Sequence, residues 1–192
     1  MKISFGRKQI IALAQIQNKK TGKFESATVY EIDCKDHTDY IEAQKDYEGW
    51  NFPYEISQNI LCKFINGNRF KNYDPYYFYA LQNENFETIG RIQINENDRG
   101  VYTVEWLDTK ENNGYRFVGQ TILAVAAKEA LAKGAAALSV PSPMEDAENF
   151  YKDVCKFEDW GKSGFYTDKK GMEEFIGRTE ERTQCPLIDL KA

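Results

Sequence analysis

The chain has 192 residues, a formal net charge of −5, 42% hydrophobic residues and 14% aromatic residues. This length fits one domain with a sizeable core, and the apolar content excludes a disordered protein. No Lys/Arg run stands out, so the footprint of a phosphate backbone is missing and a nucleic-acid substrate is disfavoured.

Cysteine and histidine usage predicts no metal site. The chain has a single histidine, His37, and none of its four cysteines forms a Cys-x-x-Cys pair, although zinc sites are usually built from such pairs. The first residues lack the apolar stretch of a signal peptide, and no segment approaches the roughly 20 apolar residues of a membrane span. We therefore expect a cytoplasmic protein with reduced thiols and no contact with a membrane.

The N-terminal part predicts two strands and then two helices. The strands are expected at residues 9–16 and 26–32, and the helices at residues 38–47 and 54–65. A polar turn at residues 18–22 joins the strands, which indicates a hairpin within about residues 1–32. Pro53 stands where the second helix can begin.

The rest of the chain predicts a three-stranded meander followed by alternating helices and strands. Expected are strands at 76–82, 88–94 and 101–108, a helix at 119–133, a strand at 135–140 and a helix at 144–155. Residues 165–167 and 173–176 show only short secondary-structure patterns. No repeat or linker interrupts the chain, so one domain over residues 1–192 is expected.

The most informative segment is the glycine-bearing turn at residues 114–121, which lies between a predicted strand and a predicted helix. The first amides of a helix have no intrahelical partner, and the peptide dipoles place partial positive charge there. A glycine in such a turn lets a pyrophosphate approach the backbone. The construction is therefore typical of a phosphate-binding site, although an ordinary strand-to-helix loop has the same outline.

This turn and its surroundings resemble the GNAT superfamily of N-acetyltransferases. Arg116-Phe-Val-Gly119-Gln-Thr121 matches the acyl-CoA signature, which is Arg or Gln, two residues, Gly, one residue, and Gly or Ala; Thr121 replaces the last small residue. The segment from Ala147 to Phe157 resembles the family's Ala-x-x-Phe-Tyr…Gly-Phe helix, with Lys156-Phe157 one residue late and without the preceding Asn.

The resemblance implies an α/β (α+β) fold with a mixed, mostly antiparallel sheet flanked by helices. Two central parallel strands would splay apart at their C-terminal ends and admit the pantetheine arm of acetyl-CoA, the expected acyl donor. The residues implied in cofactor binding are Leu107, Asp108, Thr109, Arg116, Phe117, Val118, Gly119, Gln120 and Thr121.

Two side chains are candidates for proton transfer. Glu105 would be the general base, in the strand where many family members carry a carboxylate; alternation places it with Thr103 and Leu107 on one face. Asp108 is the alternative carboxylate, and a salt-bridged strand glutamate is the structural interpretation of Glu105. Tyr151 would return a proton to the CoA sulfur, or else it is a packed aromatic on an amphipathic helix.

The leading hypothesis is an acetyl-CoA-dependent N-acetyltransferase in which the amine attacks directly in a ternary complex. The acceptor would be a small-molecule or protein amine. An acidic protein attracts cationic acceptors without choosing among them, and the sequence leaves a homodimer open. One alternative is a catalytically silent protein that binds acyl-CoA or a partner on this fold. Another is a toxin that acylates charged tRNA, which would need a basic surface near the cofactor.

Overall fold

The computed structural model describes residues 9–32, 50, 76–97 and 99–189. The expected helices at residues 38–47 and 54–65, together with His37, Cys34 and Cys62, lie outside the described residues. The strands are β1 Gln9–Asn18, β2 Phe24–Glu31, β3 Tyr76–Asn83, β4 Thr88–Glu96, β5 Val101–Thr109, β6 Tyr115–Arg116, β7 Ala137–Val140, β8 Glu158–Asp159, β9 Phe165–Asp168 and β10 Ile188–Asp189. The α-helices are α1 Val118–Ala132 and α2 Lys169–Thr183.

These strands form one mixed sheet in the order β10-β1-β2-β3-β4-β5-β7-β9-β8, with β6 paired to β1. Neighbouring strands are antiparallel except β5 and β7, which are parallel. A parallel pair needs a crossover, and α1 supplies it. The expected fold class is therefore confirmed, including the β3–β4–β5 meander and the crossover helix.

Helix α1 is held closely against the sheet. Its buried face carries small and branched apolar residues, including Ile122, Leu123 and Ala126, which are fully buried. A Cβ added to Gly90 of β4 would lie 2.7 Å from Val118 Cγ1, so a larger residue there would push the helix away. The first turn of α1 is thus fixed in position by glycine on the strand beneath it.

Helix α2 was not expected from the sequence, which gave only a short signal at residues 173–176. The helix has 15 residues and begins after Asp168, whose Oδ1 accepts a hydrogen bond of 2.7 Å from the Gly171 amide. Its buried positions, at helical spacing, are Met172, Phe175, Ile176, Thr179 and Thr183. Two of these five are threonines, so a search for apolar periodicity detects only three of the five buried positions.

The expected helix at residues 144–155 is helical but irregular. A 3₁₀ turn at Glu145–Ala147 leads through residues 148–149 into a π-helix at Phe150–Cys155. We call residues 145–155 the irregular helix. Pro141 and Pro143 lie between it and β7.

Among the described residues, no helix combines the length and the apolar character that crossing a membrane requires.

Candidate functional site

The parallel strands β5 and β7 stop pairing well before β5 ends. Their register runs from Val101 opposite Ala137 to Thr103 opposite Ser139, where the two hydroxyl oxygens lie 3.1 Å apart. Strand β5 continues to Thr109, whereas β7 ends at Val140. The C-terminal half of β5 therefore leaves its parallel neighbour, as the resemblance implied.

A β-bulge changes the faces of β5. Ile94 pairs with Val104 and Gln93 with Trp106, so Glu105 is an extra residue without a partner on β4. Because Leu107 pairs with Ile92, and paired residues share a face, Leu107 lies with Val104. The expectation that Thr103, Glu105 and Leu107 share one face is therefore wrong: simple alternation does not hold across a bulge.

A cavity of about 600 Å³ opens where β5 departs from β7. Most of its lining residues come from three segments: the C-terminal end of β5, the first turn of α1 and the irregular helix. Of the candidate residues, those that line the cavity are Leu107, Asp108, Thr109, Phe117, Val118, Gly119, Gln120 and Tyr151. Glu105, Arg116 and Thr121 are not among the lining residues.

The first turn of α1 presents backbone amides without a capping side chain. Phe117 is the N-cap residue, and no side chain accepts a hydrogen bond from the turn. The first intrahelical bond runs from the Thr121 amide to the Phe117 carbonyl at 2.8 Å, so the amides of Val118, Gly119 and Gln120 precede it. No acidic residue lies in this turn, and its partial positive charge is available for an anion.

Phe117 adopts a strained conformation to start the helix. Its φ of 69° is in the left-handed region, which non-glycine residues rarely enter. The ring stacks on Phe24 of the β1–β2 hairpin with centroids 6.5 Å apart. Arg116, immediately before it, is exposed and pairs through its backbone with Gln17 of β1. The hairpin therefore supports the turn that leads into α1.

Thr121 belongs to the core and not to the cavity wall. It is fully buried, and its hydroxyl has no hydrogen-bond partner in the described part of the chain. The signature prefers Gly or Ala at this position. A buried hydroxyl without a partner costs free energy, so the exchange for Thr carries a penalty that the sequence alone did not reveal.

Tyr151 reaches the cavity from a tightly packed aromatic group. It is 5% exposed and stacks near Phe157 and Phe165, with ring centroids 6.4 and 5.7 Å away. Burial raises the pKa of Tyr151 well above its usual value. The phenol therefore stays protonated over the physiological range and can act as a proton donor.

The π-helix accounts for the late position of Lys156-Phe157. A π-helix closes its hydrogen bonds over one more residue than an α-helix and so accommodates one additional residue. The amides of Lys156 and Phe157 both donate to the Tyr151 carbonyl. Lys156 has φ 58°, the left-handed conformation that glycine adopts most easily. The helix thus ends at Lys156 in a conformation that glycine would adopt without strain.

The two candidate carboxylates differ in their surroundings. Glu105 is exposed on the bulge, whereas Asp108 is half-buried at the cavity wall. Burial raises the pKa of Asp108 above its ordinary value. Two groups oppose this rise: the Thr109 amide, which donates to Asp108 Oδ1 at 2.7 Å, and the buried Arg91. Arg91 itself lies under the Trp50 ring, 4.5 Å from its centroid. Of these two candidates, Asp108 is thus the one that lines the cavity.

Two basic residues at the cavity were not found from the sequence. Lys19 comes from the β1–β2 turn, where its amide donates to the Gly114 carbonyl at 2.8 Å. Arg182 comes from the last turn of α2. Both are far from the signature along the chain, so only the fold brings them to the cavity. In the described part of the chain, no three His, Cys, Asp or Glu residues group as metal ligands.

Solved structures with a similar fold include acetyltransferases of the GNAT family. The AtaTR complex bound with acetyl-CoA superposes with a TM-score of 0.58 at 20% identity, over 78% of this chain and 98% of that one. A protein described as a GNAT-family acetyltransferase from Desulfovibrio desulfuricans gives a TM-score of 0.54 at 10% identity, over 74% and 99% of the two chains. A variant of the AtaT toxin bound to the C-terminus of the antitoxin AtaR gives 0.54 at 15% identity, over 77% and 94%.

No protein-family model matches the sequence, and comparison with curated proteins finds no match either. At these identities the structural likeness establishes the fold alone. This chain has the fold of GNAT-family acetyltransferases, as its sequence motifs indicated.

Proposed function

We propose that this protein is an acetyl-CoA-dependent N-acetyltransferase in which an amine attacks the thioester directly in a ternary complex. The observation that carries the proposal is the composition of one cavity. Uncapped amides at the start of α1, the departing end of β5 and the protonated Tyr151 phenol all meet there. These are an anion site, a channel and a proton donor on a GNAT fold.

The donor half of the reaction uses α1 and β5. The amides of Val118, Gly119 and Gln120 would bind the diphosphate of acetyl-CoA, where the helix dipole favours negative charge. The backbone from Leu107 to Thr109, which has lost its parallel partner, would bind pantetheine and polarise the thioester carbonyl. Holding donor and acceptor together supplies much of the rate enhancement.

The chemical step moves one acyl group and two protons. The neutral amine nitrogen attacks the thioester carbonyl carbon, and the C–S bond breaks as the tetrahedral intermediate collapses. Tyr151 gives its proton to the departing sulfur. Before attack, a carboxylate takes the proton from the ammonium form of the acceptor, directly or through water, and this is the general-base step. After attack, the nitrogen passes its next proton to the Tyr151 oxygen, which restores the phenol.

For that base we propose Asp108 first and keep Glu105 as the second candidate. Asp108 lines the cavity, and its raised pKa brings it nearer to the working pH of a general base. Glu105 would have to act through water from an exposed position on the bulge. A pH–rate profile of Asp108→Asn beside Glu105→Gln separates them. The variant that lacks the base should lose most rate at low pH and regain part of it as the amine deprotonates.

The overall test is direct. Calorimetry should show one CoA site per chain, and release of free CoA thiol should depend on an added amine such as a polyamine, an aminoglycoside or a lysine peptide. CoA binding without transfer to any acceptor would favour the catalytically silent alternative. The absence of CoA binding at millimolar ligand would refute both.

One observation supports a second acceptor class. The β1–β2 turn carries three exposed lysines, Lys19, Lys20 and Lys23, of which Lys19 lines the cavity. One structural neighbour is a toxin bound to its antitoxin. A basic surface near the cofactor is what the charged-tRNA hypothesis requires. Aminoacyl-tRNA therefore belongs in the acceptor panel, with uncharged tRNA as its control.

A further inference from the structure

Two side chains joined by a hydrogen bond at the cavity wall, those of Gln120 and Arg182, have no part in the mechanism above. Gln120 lies in the first turn of α1 and is 3% exposed. Arg182 lies in the last turn of α2 and lines the same cavity. Arg182 Nη1 donates to Gln120 Oε1 at 3.2 Å. Through this bond, α2 reaches the amide end of α1.

The Gln120 side chain is held at both of its polar atoms. Its Nε2 donates to Thr179 Oγ1 at 3.1 Å, and Thr179 Oγ1 donates in turn to the Phe175 carbonyl at 2.9 Å. A buried carboxamide is costly unless its donors and acceptors are satisfied. The series from Phe175 through Thr179 and Gln120 therefore fixes the Arg182 guanidinium relative to the first turn of α1.

Most of the hydrogen-bonding capacity of Arg182 remains available. Its bond to Gln120 is the one hydrogen bond that the Arg182 side chain makes within the described part of the chain, whereas a guanidinium carries five N–H donors. The planar fork of those donors matches phosphate oxygens. Arg116, the basic residue of the signature, is exposed and does not line the cavity.

We infer that Arg182 binds the diphosphate of the acyl donor beside the α1 amides, and that Gln120 is its positioning residue. The inference rests on the proposed function, because it takes acyl-CoA as the ligand. The positive side chain at the proposed anion site would then come from α2, which lies outside the two sequence motifs at residues 116–121 and 147–157. The backbone amides of α1 supply the other donors.

The first experiment compares the CoA affinity of Arg182→Gln with that of the wild type by calorimetry. The dissociation constant should rise about tenfold, the usual effect of losing a charge-assisted hydrogen bond at a partly exposed site. Lys170→Gln is the matched control. It makes the same change of charge on α2, at an exposed residue whose Nζ lies 3.7 Å from Glu174 Oε1 and that does not line the cavity.

Equal CoA affinity in Arg182→Gln and the wild type would overturn this inference and leave the proposed function intact. A wild type that binds no CoA would refute the proposed function and the inference with it. An equal loss in Lys170→Gln would also overturn the assignment, because the effect would then be one of overall charge.

Shortened ligands locate the contact. Dephospho-CoA lacks the 3′-phosphate and keeps the diphosphate, so it should show the same loss in Arg182→Gln. Pantetheine lacks both groups and should bind the wild type and the variant equally. A loss seen with CoA but not with dephospho-CoA would move Arg182 to the 3′-phosphate and overturn the diphosphate assignment.

The positioning role of Gln120 is tested by a double-mutant cycle. Gln120→Met keeps the length of the side chain and removes both hydrogen bonds, so it should weaken CoA binding while Arg182 is present. In the Arg182→Gln background the same change should have a much smaller effect, because there is no guanidinium left to orient. Additive effects on affinity would show that Gln120 acts on packing alone. Circular dichroism checks that every variant is folded.

Discussion

The two helices that border the cavity are built in opposite ways. Helix α1 is regular over 15 residues, and most of its residues are buried, so core packing fixes its position. The irregular helix changes from a 3₁₀ turn to a π-helix within residues 145–155, and of its π segment only Tyr151 and Cys155 are buried. In α1, packing of the whole helix fixes the position of the backbone amides. In the irregular helix, the local change from 3₁₀ to π hydrogen bonding fixes the position of one side chain, Tyr151.

This difference predicts that the two helices contribute to different kinetic parameters. Changes in the first turn of α1 should act on the affinity for the donor, because we propose that its amides bind the diphosphate. Changes at Tyr151 should act on turnover, because we propose that the phenol protonates the departing sulfur. The variants below separate the two roles.

The largest expected effect is that of Tyr151→Phe. Removal of the phenol proton should lower kcat by about 10²- to 10⁴-fold, the usual contribution of a positioned general acid or base. CoA affinity and thermal stability should stay close to the wild type, since Phe keeps the stacking on Phe157 and Phe165. Steady-state kinetics with any active acceptor measures the change. Unaltered turnover would remove Tyr151 from the mechanism.

Gly119→Val should mainly affect binding. An ideal Cβ at Gly119 would lie 3.4 Å from Thr109 Cγ2 and 3.9 Å from Phe150 Cζ, which is ordinary contact, but the two further methyl groups of Val would crowd the amides. The dissociation constant for CoA should rise by more than about tenfold, or about 1.4 kcal/mol.

Gly119→Ala is the control for that experiment. It adds the Cβ alone and should raise the free energy of unfolding by up to about 1 kcal/mol, because alanine favours the helix. Its loss of CoA affinity should be smaller than that of Gly119→Val. Wild-type affinity in the valine variant would place the diphosphate away from this turn.

The smallest effect is expected at Lys156, where the irregular helix ends in a left-handed residue. Lys156→Gly removes a conformational strain of about 1–2 kcal/mol and adds the entropy cost of glycine, about 0.5–1 kcal/mol. The net gain in unfolding free energy should therefore be at most about 1.5 kcal/mol. Urea unfolding measures it. Lys152→Gly, within the π segment, should destabilise the protein instead. A loss of stability in both variants would contradict the strain assigned to Lys156.

The sequence predicted regular elements well because each of them repeats a pattern. Strands β1 to β5 alternate, and α1 carries apolar residues at helical spacing, so their bounds agree with the structure to within a few residues. The hairpin, the meander and the crossover all follow from these elements and their turns. The fold class could therefore be named in advance, and eight of the 17 cavity-lining residues were among the predicted site residues.

What the sequence did not reveal depends on contacts between distant segments. The bulge at Glu105 is defined by how β5 pairs with β4. The sequence of β5 alone therefore suggests unbroken alternation. Helix α2 buries Thr179 and Thr183, and Thr179 accepts a hydrogen bond from the buried Gln120 side chain. Arg182 lies more than 60 positions from Gln120 in the sequence, the separation that their hydrogen bond spans. No local pattern contains this information.

The pairing of β10 with β1 has a consequence for how the cavity forms during folding. Ile188 and Asp189 lie opposite Leu13 and Ala12, so the segment after α2 closes on the first strand of the described chain. Contacts of such long sequence separation are made only after a large loss of chain entropy and tend to form late. Refolding should therefore restore sheet signals before CoA-binding capacity, and the lag between them would measure the closure of the chain.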